Sequence, residues 1–252
     1  MPFELFDLGV LIATAFATAV LSALIGMAGG IVLLSVMLLY LEPLIAIPLH
    51  GVIQLVSNGS RSYIQRRHVD WSLSWRYGLL LLPAGMLGLQ VAVAMPAEIT
   101  RPLIGAFVLF ATWRPGWLLL GTHPESIRSG RRFILLGGVV GFLQNVIGAT
   151  GPLIAPFFLN LGLTRQALVG TKAFCQALGH TSKILVFGIA GFAFGPWWPA
   201  LVAMAAAVVA GTWLGSQLLE RVNERSFTIL FKTVLTLVAL RLILWEGWKL
   251  LA

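Results

Sequence analysis

Leu49-His50-Gly51-Val52-Ile53-Gln54-Leu55-Val56-Ser57-Asn58-Gly59-Ser60-Arg61 is an apolar run crossed at regular intervals by polar residues, and Thr171-Lys172-Ala173-Phe174-Cys175-Gln176-Ala177-Leu178-Gly179-His180-Thr181-Ser182-Lys183 is a second run of the same design. In the first, His50, Gln54, Asn58 and Arg61 stand at i, i+4, i+8 and i+11. In the second, Lys172, Gln176, His180 and Lys183 repeat those intervals. Steps of three and four residues share one face of a helix. Each run therefore reads as a helix with one polar stripe.

The medium around these helices follows from composition. The chain has 252 residues, 58% hydrophobic and 10% charged, whereas a soluble domain carries about a quarter charged residues. So few charges cannot cover a water-exposed surface, and the bilayer must solvate most of the chain. The apolar runs are continuous rather than alternating, which excludes a β-barrel. The expected fold is an all-α integral membrane protein, a polytopic helix bundle. In that setting the net charge of +8 reads as basic loops that set membrane orientation, not as a nucleic-acid surface.

Apolar segments fall at about 9–25, 28–41, 44–63, 73–95 and 102–120, and again at about 133–147, 151–162, 166–190, 197–219 and 227–246. A polar linker, 121–132, lies between the two sets and contains His123, Pro124, Glu125, Arg128, Arg131 and Arg132. A shift of 122 positions superposes Ile25-Gly26 on Ile147-Gly148, Gly29 on Gly151, and the first stripe on the second. From Ala84-Gly85 onward the shift is 126, which implies an insertion near Phe192–Trp198. The expected organisation is a first transmembrane repeat at 1–120 and a second at 133–252. Five segments per repeat is an odd number, so the second repeat enters the membrane from the opposite side, a plan common among secondary transporters.

Positive charge gives an orientation. The loop with Arg61, Arg66, Arg67, His68 and Arg76, the central linker, and the turn with Arg221 and Arg225 are expected on the cytoplasmic side. Glu42, a turn with Glu98 and Arg101, and the Gly195-Pro196-Trp197-Trp198-Pro199 loop are expected opposite them. Both termini then lie outside the cytoplasmic membrane. Met1 to Gly9 holds Glu4 and Asp7 but no Lys or Arg, unlike a signal peptide, so the first segment is expected to be retained. Cys175 is the only cysteine and reads as a packing residue.

The first two segments of each repeat are short, about 12 to 17 residues against the roughly 20 that a span needs. Each pair is split by glycine, at Gly26, Gly29 and Gly30 and at Gly148 and Gly151. Matched breaks of this kind offer backbone N–H and C=O groups to a substrate. Gly137/Gly141 and Gly211/Gly215 read instead as close helix contacts.

A charge at mid-bilayer costs about 2.5–3.5 kcal/mol on insertion scales, so the stripes are expected to face the bundle interior. With the two helices antiparallel, His50 and Lys183 lie toward one membrane face and Arg61 and Lys172 toward the other. Gln54 and Gln176 then sit near mid-depth beside Asn58 and His180, and Thr171 adds a hydroxyl. No Asp or Glu lies inside an expected span. A basic, acid-free interior prefers anions, and the histidines are the candidates for any proton coupling. The reading assigns no catalytic residue, metal or cofactor. A membrane enzyme is disfavoured because His-Glu-x-x-His and Gly-x-Ser-x-Gly are both absent and no cysteine is set beside a base. A passive anion channel stays open as an alternative, and so does homo-oligomerisation.

At these residues the chain resembles the sulfite exporter TauE/SafE family. The likeness runs through Ile25-Gly26-Met27-Ala28-Gly29-Gly30, Leu49-His50-Gly51-Val52 and Arg66-Arg67-His68-Val69-Asp70-Trp71. It continues in Ile147-Gly148-Ala149-Thr150-Gly151, Pro156 and Val169-Gly170-Thr171-Lys172. Two positions depart from the family pattern: Ser35 stands where a proline often follows the first glycine run, and Pro152 replaces a glycine in the second. The resemblance implies two related halves and a multispanning transporter of sulfur-containing or organic anions, such as sulfite or sulfonates, in the cytoplasmic membrane.

Overall fold

Glycine and proline decide where the helices of this chain stop. The computed structural model describes residues 4–25, 29–114, 130–159, 161–218 and 224–251. Gly26, the linker residues His123, Pro124, Glu125 and Arg128, and the turn residue Arg221 lie outside the described residues. Every regular element among the described residues is helical, and the chain is a helical membrane protein. In chain order the helices are α1 (Leu5–Ile25), α2 (Gly29–Tyr40), α3 (Pro43–Ile64), α4 (Trp71–Gly78), α5 (Leu81–Ala94) and α6 (Ala97–Trp113). They continue with α7 (Gly130–Val146), α8 (Gly151–Leu159), α9 (Arg165–Ile189), α10 (Trp198–Leu218) and α11 (Glu224–Leu251).

Three stretches, Leu5–Ala23, Trp71–Ala94 and Gly195–Gly215, are long and apolar enough to cross a bilayer. Helices α3 and α9 have the length, at 22 and 25 residues, but their polar stripes dilute the hydropathy. Helices α2 and α8 have 12 and nine residues. At about 1.5 Å per residue they reach roughly 18 and 14 Å, short of a core about 30 Å thick.

Three elements differ from the sequence expectation. The first segment, expected to be short at 9–25, is α1, which has 21 residues and is long and apolar enough to span. The segment expected at 73–95 is two helices with a turn at Leu79–Leu80. Pro83 explains the break: it has no N–H to give the carbonyl of Leu79, and its ring clashes there. The segment expected to begin at Pro102 begins at Ala97 instead, so Glu98 and Arg101 lie inside α6 and not in a turn. Arg101 Nη2 reaches Glu42 Oε1 at 3.0 Å and ties α6 to the start of α3.

Helix α3 packs along α9, α6 along α11, α1 along α10, and α5 along α7. The first pair runs antiparallel, because Gly51 faces Lys183 while Gln65 faces Gly170. The α6–α11 pair is also antiparallel: Gly105 meets Ala239 and Leu242, and Trp113 Nε1 donates to Thr236 Oγ1 at 3.0 Å. The other two pairs run parallel at close quarters. Gly211 and Gly215 lie on the backbone of Phe16 and Val20, and Gly137 and Gly141 on that of Tyr77 and Leu81. Small residues let these backbones touch, which supplies the dispersion contact that joins helices in lipid.

The chain turns sharply between α7 and α8. Gly148 sits at φ 85°, in the left-handed region that an L side chain enters at a cost of about 1–2 kcal/mol. A Cβ there would also lie 2.6 Å from Leu34 Cδ2 and 2.9 Å from Ile47 Cγ1. Gly162 has φ 65° but nothing within 4 Å of its Cβ position. Gly162→Ala should therefore cost about 1 kcal/mol, and Gly148→Ala should add about 1–3 kcal/mol of overpacking. Thermal unfolding in detergent checks this; equal losses at the two positions would remove the packing argument.

Candidate functional site

The antiparallel contact of α3 with α9 turns the two polar stripes toward one another. The His50 and His180 rings lie 5.8 Å apart, edge to face, Lys183 stands in the field of both, and Lys172 stands in the field of Arg61. His50, Asn58, Thr171, Lys172, His180 and Lys183 are all buried. The cations therefore face protein and not lipid, as the expense of charge in hydrocarbon demands.

Between the stripes is a cavity of about 30 Å³, the size that holds one or two waters. Helix α3 lines it with His50, Gln54 and Arg61, and helix α9 with Gln176, Gly179 and His180. Its remaining wall is the pair of helix breaks. Gly30 and Ile31 open α2 there, and Ala149, Thr150 and Gly151 open α8. Both short helices thus present their N-terminal ends, which carry partial positive charge. Each break also lies against a glutamine. A Cβ on Gly30 would fall 2.9 Å from Gln54 Oε1, and one on Gly151 would fall 3.1 Å from Gln176 Nε2. No carboxylate lines the cavity among the described residues.

Hydrogen bonds fix these groups. His50 Nε2 lies 2.8 Å from the Gly30 carbonyl oxygen. Asn58 Nδ2 donates to the Gln54 carbonyl at 2.9 Å, and Asn58 Oδ1 accepts from Arg61 Nη2 at 2.9 Å. Arg61 also donates to the carbonyl of Ser22 at 3.3 Å, across to the end of α1. Lys183 Nζ donates to the Gly148 carbonyl at 2.6 Å and so grips the left-handed turn. Burying the Gly148 carbonyl without a donor would cost about 1–3 kcal/mol, so this bond belongs to the architecture of the break.

Of the residues singled out from sequence, His50, Gln54, Arg61, Gln176, His180, Gly30 and Gly151 line the cavity. Asn58 stands behind it and orients Gln54 and Arg61. Gly29 packs on Ser22 and Thr18, and Gly148 and Lys183 hold each other beside the cavity. Thr171 and Lys172 lie at the far end of α9, where Thr171 Oγ1 accepts from the backbone N–H of Asp70 at 2.9 Å. That bond joins the start of α9 to the loop before α4.

Ser22, Tyr77 and Gln144, which stand outside both stripes, also line the cavity. A signal existed for Gln144: with Asn145 it forms an adjacent pair of amides in an apolar segment, three residues before the glycine break. Gln144 Nε2 donates to the Gly179 carbonyl at 2.8 Å. Tyr77 carried no signal, because a tyrosine in an apolar run reads as packing. Its ring is fully buried, and neither its hydroxyl nor His180 Nδ1 has a hydrogen-bond partner among the described residues.

Comparison with known proteins bears on one level only. No curated protein and no solved structure matches the chain. The family model described as sulfite exporter TauE/SafE matches residues 11–242, which takes in every helix that builds the cavity. By that match the chain belongs to the sulfite exporter TauE/SafE family of membrane transport proteins.

Proposed function

We propose that the chain is a secondary transporter that moves small anions, sulfur-containing or organic and of the sulfite or sulfonate kind, across the cytoplasmic membrane by alternating access. The observation that carries this reading is the cavity wall: one guanidinium, three glutamines, two histidines and two helix N-termini, with no carboxylate among the described residues. Oriented donors and dipoles of this sign favour negative charge. The Tyr77 hydroxyl, which has no hydrogen-bond partner among the described residues, can donate to an oxyanion. Family membership supports the transport class. A cavity of only about 30 Å³ between buried helices favours a carrier over an open pore.

The same reading takes 1–120 and 133–252 as two repeats of opposite topology joined by the linker 121–132. Reciprocal packing supports it. Exchanging the repeats converts the α1–α10 contact into α7–α5, α3–α10 into α9–α5, and α2–α11 into α8–α6, and all six contacts are present. The α3–α9 and α6–α11 pairs map onto themselves, and both run antiparallel, as an axis in the membrane plane requires. Rocking α3 against α9 would then expose the central groups to one side at a time.

In proteoliposomes, sulfite, sulfoacetate, taurine-like sulfonates, thiosulfate and sulfate should be screened for flux. At least one sulfur oxyanion should be carried. Arg61→Gln and Lys172→Gln should each lower its flux at least tenfold, about 1.4 kcal/mol in the barrier, with insertion unchanged. Normal flux in both variants would sink the stripe as a substrate path. Lys183→Met should behave differently and lower the unfolding temperature, because Gly148 loses its donor. Topology is tested separately: reporters fused at the two termini should both read as external, and a cysteine placed in 121–132 should react only from the cytoplasmic side. A single terminus inside would discard the opposed repeats.

A further inference from the structure

Away from the central cavity, the outer side of the α3–α9 contact holds a groove of about 480 Å³. Its floor is made of small residues, Gly59 and Ser62 of α3 and Ala177 of α9, and its walls include Leu55, Phe174 and Leu178. Nothing lies within 4 Å of the Cβ position of Gly59, so the groove is open there. From the level of Leu55 to that of Arg66 it rises roughly 16 Å, at about 1.5 Å per residue. That is close to one leaflet's share of a hydrocarbon core about 30 Å thick.

The mouth of the groove is chemically distinct from its floor. Arg66 lines it, with its guanidinium 4.4 Å above the Tyr63 ring and Nη1 donating to the Tyr63 carbonyl at 3.0 Å. Arg67 and His68 follow in the turn Arg66–His68, and all three side chains are exposed. Among the described residues no carboxylate forms an ion pair with these three side chains, and that of Asp70, two residues on, caps α4 by accepting from the backbone N–H of Leu73 at 2.9 Å. Tyr63 and Trp71, both exposed at the mouth, are of the type that settles at the head-group level. Trp71 is braced there by Phe174 at 4.8 Å.

We infer that this groove holds one acyl chain of an anionic phospholipid, with its phosphate on Arg66, Arg67 and His68. The length suits a chain of one leaflet, the floor suits methylenes, and basic pockets between transmembrane helices take anionic head groups. A second copy of this chain fits less well, because it would bring another basic surface, from a protein of net charge +8, against the same basic turn. A lipid seated here would wedge the outer side of the two helices whose inner side forms the cavity, and it would therefore bear on how far they can rock.

The test is native mass spectrometry of the purified protein after delipidation and back-titration with phosphatidylglycerol or phosphatidylcholine of identical chains. The wild type should retain phosphatidylglycerol with at least a tenfold preference. The double variant Arg66→Gln with Arg67→Gln should lose the preference while keeping its unfolding temperature. Gly59→Leu, which fills the floor, should release both lipids. Equal retention of the two lipids by the wild type would mean annular lipid only and would overturn the inference. So would displacement of bound lipid by soluble glycerol phosphate, which would reveal an anion site that needs no chain, and so would lipid-free dimers that dissociate in Gly59→Leu.

Discussion

A cation buried in hydrocarbon needs oxygen atoms at fixed positions, and this chain meets that need with backbone carbonyls instead of carboxylates. Lys183 holds the carbonyl of Gly148, and Arg61 holds those of Ser57 and Ser22. Among the described residues no carboxylate pairs with either cation, so no counter-ion cancels their field at the centre of the bundle. A carboxylate partner would have satisfied the hydrogen bonds equally well and removed the field. Apart from Ser57 of α3 itself, the oxygens come from the end of α1 and from the turn before α8, so the segments that flank the helix breaks also hold the cations. Through Lys183, helix α9 is tied to the left-handed turn at Gly148 that precedes α8.

Much of this was legible in the sequence. The paired stripes were readable because polar residues at steps of three and four in an apolar run admit few explanations in a bilayer. The glycine breaks were readable because they recur at matching offsets. Two features were hidden for physical reasons. Pro83 splits the segment expected at 73–95 at Leu79–Leu80 by acting on a carbonyl four residues earlier, a carbonyl that itself lies inside an apolar run, Leu79 to Leu82. Tyr77 reaches the cavity because Gly137 lets α7 press onto its backbone, a contact across 60 positions that no local pattern records.

The candidate site was legible by residue type more than by role. Gln54 and Gln176, equivalent in the stripe, do lie equivalently, each against its own break. Lys183 and Arg61, also equivalent, do not: one is spent on the turn beside the cavity and the other lines it. Spacing fixes the face of a helix that a residue occupies, but the reach of a long side chain decides whether its charge ends in the cavity or on a carbonyl beside it.

The exchange of partners between the two parts of the chain has a consequence for biogenesis. Helix α1 finds its main neighbour only in α10, and about 170 residues of chain separate them. At synthesis rates of about 5–20 residues per second, α1 must wait roughly 10–35 s in the bilayer before that neighbour is made. It can do so because the Leu5–Ala23 stretch is apolar enough to stay in lipid alone. Helix α7, which carries Gln144 and Asn145 and would be a poor lodger in bare lipid, emerges when α5 is already in place to receive it.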